Sequence, residues 1–113
     1  MAANPLPRPR RNVDTPPVYL ADAAAGDVGP VIQSQPIQWT NDTTDNITIT
    51  IQPLNGNYPL TENTFTVNGT GGPVNTRLNS VLTNASVGNY TFKRSKGVIP
   101  MGSGRIIVQT GNC

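Results

Sequence analysis

The sequence predicts an all-β protein, a small antiparallel β-sandwich or jelly-roll-like barrel behind a long extended N-terminal arm. Apolar and polar residues alternate at Ile47, Ile49 and Ile51, which is the period of a half-buried strand. The chain has 13 Asn and 14 Thr but only 12% charged residues, a composition that suits strands and turns better than surface helices. No stretch of ten residues has a helical pattern.

Residues 1–30 are predicted to form the arm, and residues 31–113 the β-sandwich domain. Six of the eleven prolines lie before residue 31, and three arginines cluster at Arg8, Arg10 and Arg11. Proline lacks a backbone N–H and favours polyproline-like extended backbone, so residues 4–17 cannot enter the interior of a sheet, whereas residues 18–20 are able to pair briefly with a neighbouring strand. Its composition favours a segment that docks on another surface.

Six strands are predicted after the arm. The first, residues 31–39, contains Pro36, which confines it to a sheet edge or a bulge. The second, residues 46–52, carries the isoleucine alternation. The other four are separated by Gly, Pro and Asn-Gly turns and comprise residues 64–68 with Phe65 and Val67 inward, 77–83, 89–94 with Tyr90 and Phe92 inward, and 105–109.

Histidine does not occur in the sequence, which excludes histidine-dependent acid–base and nucleophilic catalysis. Asp42 and Asp45 are the nearest pair of carboxylates, and they fall in a Thr/Asn turn where short polar side chains cap the backbone. Segment 41–46 offers oxygen ligands for calcium but lacks the spacing of an EF-hand loop. We therefore predict no enzymatic activity, no cofactor and no metal.

Basic residues form two groups, the arm arginines and a second group at Lys93, Arg94 and Lys96. Without the three arm arginines the chain has five basic and six acidic residues, a balance of −1, and aromatic residues for base stacking are sparse. Nucleic acid is therefore not favoured as a partner. The sequence also has no apolar run typical of a secretory signal or a membrane span, so synthesis in the cytoplasm is expected.

These features together favour a structural assembly protein located in the virion, namely a phage capsid decoration or cement protein or another virion structural subunit. The expected partners are neighbouring copies of the chain, a major capsid protein, or both, in a homo-oligomer or on a lattice. The single cysteine, Cys113, is either a free thiol or one half of an intermolecular disulfide. The predicted docking residues are Pro7, Arg8, Pro9, Arg10, Arg11, Val18, Tyr19 and Leu20.

Two alternatives remain open. Residues 88–94, Gly-Asn-Tyr-Thr-Phe-Lys-Arg, resemble a stretch near the C-terminus of the β-sandwich subunits of endospore appendage fibres, which implies an extracellular filament subunit. Those subunits carry cysteines in a short N-terminal connector, and this chain has none there. The second alternative is a small carbohydrate-binding module, for which Trp39, Tyr58 and Tyr90 would have to form an exposed aromatic platform.

Overall fold

The computed structural model describes residues 17–70 and 75–110, which form two β-sheets. No helix occurs within these two ranges, so the all-β prediction is confirmed. Residues 7–11 and Cys113 lie outside the described residues. The eight strands are β1 (Tyr19–Asp22), β2 (Val28–Ile32), β3 (Pro36–Asn41), β4 (Ile47–Ile51), β5 (Thr64–Val67), β6 (Asn75–Ser80), β7 (Gly88–Lys96) and β8 (Ile99–Gln109).

The two sheets pack face to face as a sandwich. One sheet has three strands in the order β1-β3-β6, and the other has five in the order β2-β8-β7-β4-β5. Four pairs are antiparallel: β3 with β6, β4 with β5, β4 with β7, and β7 with β8. However, β1 pairs with β3 in parallel, and β2 pairs with β8 in parallel. The first two strands thus join different sheets.

Strand β4 shows why the chain folds this way. Ile47, Ile49 and Ile51 are all buried, whereas the threonines between them face away from the core. The strand pairs with β5 on one side and β7 on the other, which places its isoleucines beside Phe65 and Phe92. A fully buried isoleucine contributes about 1.5–3 kcal/mol relative to an exposed one, so this alternation sets the register of the sheet.

Trp39 lies at the centre of the core and is fully buried. Its ring makes edge contacts with Phe65 and Phe92, with centroid distances of 5.2 and 5.7 Å. The indole N–H donates to Oδ1 of Asn79 at 2.9 Å, which satisfies a polar group that would otherwise cost free energy on burial. Aromatic residues from both sheets therefore fill the space between them.

The boundary expected at residue 30 falls inside β2, so the predicted arm contains sandwich strands. Residues Ala21, Ala23 and Val28 of this region are buried in the core. The pairing of β2 with β8 is irregular between Val28 and Val31, where Gly29 and Pro30 interrupt the alternation. Because β1 and β2 have only four and five residues, neither has an alternation of apolar and polar residues long enough to be recognised in the sequence.

The predicted strand at residues 31–39 is in fact two strands separated by a turn at residues 33–35. Pro36 is the first residue of β3, where a missing N–H is tolerated. The expectation of an edge strand is wrong for β3, which lies in the middle of its sheet between β1 and β6.

Candidate docking surface

The three-stranded sheet presents one face to the core and one face outward. Ile37 and Trp39 point into the core, so the alternation along β3 directs Gln38 and Thr40 outward. The registers with β1 and β6 align the outward residues in rows across the sheet. The first row is Leu20, Gln38 and Leu78, and the second is Asp22, Thr40 and Thr76. We call these two rows the outer face.

The outer face exposes two leucines on opposite edges of the sheet. Leu20 is 71% exposed and Leu78 is 64% exposed, and Val18 is exposed just before β1. Two interstrand spacings separate the leucines, a distance of roughly 10 Å. Single exposed apolar residues are common on protein surfaces, but apolar side chains aligned across a sheet beside a free edge are a candidate interaction surface.

Strand β1 provides that free edge, because it pairs with β3 alone among the described strands. The other edge strand of this sheet, β6, is partly covered near its C-terminal end, where Thr61 N donates to Ser80 O at 2.9 Å. An uncovered edge leaves backbone donors and acceptors available to another chain. Strand β1 is therefore the more accessible edge of the sheet.

A shallow hollow of about 250 Å³ lies at the C-terminal end of β1, lined by Leu20, Ala21, Asp22, Thr40 and Asp42. Oδ1 of Asp22 accepts a hydrogen bond from the backbone N–H of Ala24 at 2.8 Å. Within the described residues, neither carboxylate forms an ion pair. The hollow thus combines apolar side chains with two carboxylates that form no ion pair within the described residues.

Arg94 fixes the backbone that carries Asp22. Its side chain points inward from β7 and is nearly fully buried, with the guanidinium 4.6 Å from the Phe92 ring centroid. Nε donates to Ala23 O at 2.7 Å, and one terminal nitrogen donates to Gly26 O at 2.6 Å. Burial lowers the pKa of Arg94, while the carboxylates of Asp22 and Asp27 oppose that shift.

Asn41 fixes the turn that carries Asp42. This buried amide donates from Nδ2 to Asp45 O at 2.7 Å and to Val67 O at 2.9 Å, while Oδ1 accepts from Thr43 N at 2.9 Å. Segment 41–46 is therefore a hydrogen-bonded turn anchored to β5. In the part of the chain that the structure describes, no group of three acidic or cysteine side chains is arranged to hold a metal.

Of the eight predicted docking residues, the structure describes Val18, Tyr19 and Leu20, all at or beside β1. Val18 and Leu20 are exposed, whereas Tyr19 is half-buried and its hydroxyl donates to Gly29 O at 3.4 Å. Leu78 was missed because its strand lacks a clean alternation. Its neighbours Arg77 and Asn79 do not indicate that the Leu78 side chain faces outward. Its orientation follows from the pairing of Leu78 with Gln38 of β3.

The second basic group does not form a single patch. Arg94 points into the core, whereas Lys93 faces outward opposite Thr50. Lys96 Nζ lies 3.4 Å from Asp45 Oδ2. Since strand alternation separates neighbours onto opposite faces, three basic residues close in sequence provide no common surface here.

Trp39, Tyr58 and Tyr90 do not together form the exposed aromatic platform that a carbohydrate-binding module would need. Trp39 and Tyr90 are buried, and the Tyr90 hydroxyl donates to Ser86 O at 2.7 Å. Tyr58 is half-buried and packs against the core cluster. Trp39 and Tyr90 therefore cannot stack on a sugar at the surface, and the outer face is the better candidate for recognition.

No protein-family model matches this chain, and no curated protein is significantly similar to it. Within residues 17–70 and 75–110, no helix could cross a membrane. The outer face, with the free edge of β1, is the main candidate surface for recognition among the described residues.

Proposed function

We propose that the protein is a non-enzymatic structural assembly subunit, a virion decoration or cement protein that packs against neighbouring copies on a capsid lattice. The observation that carries this proposal is the pair of exposed leucines, Leu20 and Leu78, in one row of the outer face, next to the edge of β1 that no other described strand covers. Covering this row removes apolar surface from water, which stabilises contact between subunits.

The rest of the chain supports a docking role. Its sequence has no histidine, and Arg94, the charged side chain that is buried among the described residues, donates to backbone carbonyls instead of facing a cleft. A decoration subunit needs a rigid domain, an adhesive face and a segment that reaches its neighbours, and it needs no reaction chemistry. The proposal assigns the reach to the first 16 residues, which precede Pro17 at the start of the described domain.

Sedimentation velocity on the full chain over a range of concentrations tests this proposal, with electron microscopy of the same samples. We expect species larger than a monomer whose fraction rises with concentration. Leu20→Lys and Leu78→Lys should each weaken association about tenfold or more, because a charge must be desolvated in the contact. Val98→Lys is the matched control, since Val98 is 97% exposed at the tip of the β7–β8 turn.

Three outcomes would count against the proposal. A monomer at every concentration would remove the assembly role. Equal losses from Val98→Lys and Leu20→Lys would remove the outer face as the contact. Spontaneous long filaments without affinity for a capsid lattice would replace the virion assignment with that of a filament subunit.

A further inference from the structure

The outer face has a second property besides its exposed leucines, which is its charge. The chain carries a formal net charge of +2, and the first 16 residues account for all of it, with three arginines against Asp14. The remaining five basic and five acidic residues cancel. Asp22 and Asp42, which line the hollow at one end of the outer face, lack ion-pair partners among the described residues.

We propose that the outer face receives the first 16 residues of a second copy of this chain, with Arg8, Arg10 and Arg11 at the carboxylates of Asp22 and Asp42. This inference rests on the proposed assembly function and names the occupant of the docking surface. Arginine suits the site because its guanidinium binds carboxylates through two parallel hydrogen bonds. Leu6, Pro7 and Pro9, which lie next to these arginines in the sequence, provide apolar surface to cover Leu20 and Leu78.

The dimensions fit this occupant. Strands of four to six residues make the outer face about 13–20 Å long, and an extended segment of 16 residues reaches up to about 50 Å. The segment is therefore long enough to leave its own domain and cross the face of a neighbour.

The direction of the chain favours a second copy over the same copy. The preceding residues join β1 at its N-terminal end, where Pro17 O accepts from Gln35 Nε2 at 3.0 Å, whereas the hollow lies at the C-terminal end beside Asp22. The sequence at this junction is Pro16-Pro17, and consecutive prolines favour continued extension over reversal. Pro17, to which the first 16 residues attach, thus lies at the end of β1 opposite the hollow.

A contact of this kind is head-to-tail, because the donated segment and the receiving face are different surfaces. Such contacts form rings when the rotation between subunits closes and open filaments when it does not. A closed ring is the form that suits a decoration subunit seated on a lattice.

Charge reversal tests the pairing directly. In one variant Arg8, Arg10 and Arg11 are all replaced by Glu, and in a second Asp22 and Asp42 are replaced by Lys. Each variant alone should associate at least about tenfold more weakly than the unmodified chain. An equimolar mixture should regain association, because each segment then meets a face of opposite charge. Lys93→Glu, on the outward side of the other sheet, should leave association unchanged.

The remaining outcomes separate this inference from the proposed function. Association of both reversed variants at the unmodified level would overturn the inference and leave assembly intact. Rescue in a single chain carrying both reversals, but not in the mixture, would show that the segment binds its own face. Thermal melting checks that the Asp22→Lys variant folds. Leu78→Lys, at an exposed position on the same face, should also weaken association, because its positive charge repels the arginines of the arriving segment. Failure of the unmodified chain to associate would refute the proposed function itself.

Discussion

At the scale of single residues, buried polar side chains determine how the loops beside the outer face are held. Arg94 binds the carbonyls that follow β1, and Asn41 binds the turn that follows β3. Both side chains lie inside the sandwich, and their hydrogen-bond partners are mostly backbone atoms of distant segments. Leaving such groups without partners costs more than the bonds contribute when formed, so these two residues restrict the loops strongly.

Arg94→Met should reduce the free energy of unfolding by about 3 kcal/mol, because the carbonyls of Ala23 and Gly26 lose buried donors while the apolar stem is retained. Chemical denaturation monitored by circular dichroism measures the loss. Arg105→Met is the control, since this exposed side chain should change stability by less than about 0.5 kcal/mol. Similar losses in the two variants would show that Arg94 does not hold the loop.

At the scale of elements, the strands that the sequence predicted and those it missed differ in how regularly apolar and polar residues alternate. Strand β4 is a regular alternation that lies between two neighbours, so its local pattern matches its environment. Strand β2 is an edge strand with an irregular register at Gly29 and Pro30, and only Val28 and Val31 are fully buried. Edge strands tolerate such irregularities because only one side is paired.

Gly29 is required for β2 to join the sheet. Its φ is +122°, and a Cβ at this position would lie 2.6 Å from Ile107 O in β8. Gly29→Ala should therefore destabilise the protein by about 3 kcal/mol through backbone strain and steric overlap together. Gly97→Ala is the matched control, because its φ is +62° with no atom within 4 Å, and it should cost about 1 kcal/mol. Thermal melts that rank the two variants equally would contradict the close approach.

At the scale of the whole molecule, the two parallel pairings decide where the folded domain begins. Strand β1 extends the three-stranded sheet and β2 extends the five-stranded sheet, so the segment between residues 19 and 32 links both layers. The N-terminal segment available for docking consequently ends near residue 16, and the outer face is assembled in part from residues that the sequence placed in the arm.

Two truncations distinguish these boundaries. Removal of residues 1–16 should leave the free energy of unfolding within about 1 kcal/mol of the full chain, since the strands are retained. Removal of residues 1–30 deletes β1 and most of β2 and leaves the Arg94 guanidinium without its buried acceptors. This deletion should lower the free energy of unfolding by about 5 kcal/mol or more, which equals the whole stability of a small domain, so the shorter chain should be unfolded. Circular dichroism and thermal melting compare them, and a stable fold in both would restore the boundary at residue 30.

The sequence by itself determined the fold class and the inward residues of the regular strands, because alternation along a strand is a local property. Ile47, Ile49 and Ile51 could be assigned to the core without knowledge of their neighbours. Only the tertiary structure decided that Leu20 and Leu78 share one row, that Asp22 and Asp42 meet in one hollow, and that Arg94 points inward. These placements depend on strand order and register, which arise from pairing between distant segments and leave no local pattern in the chain.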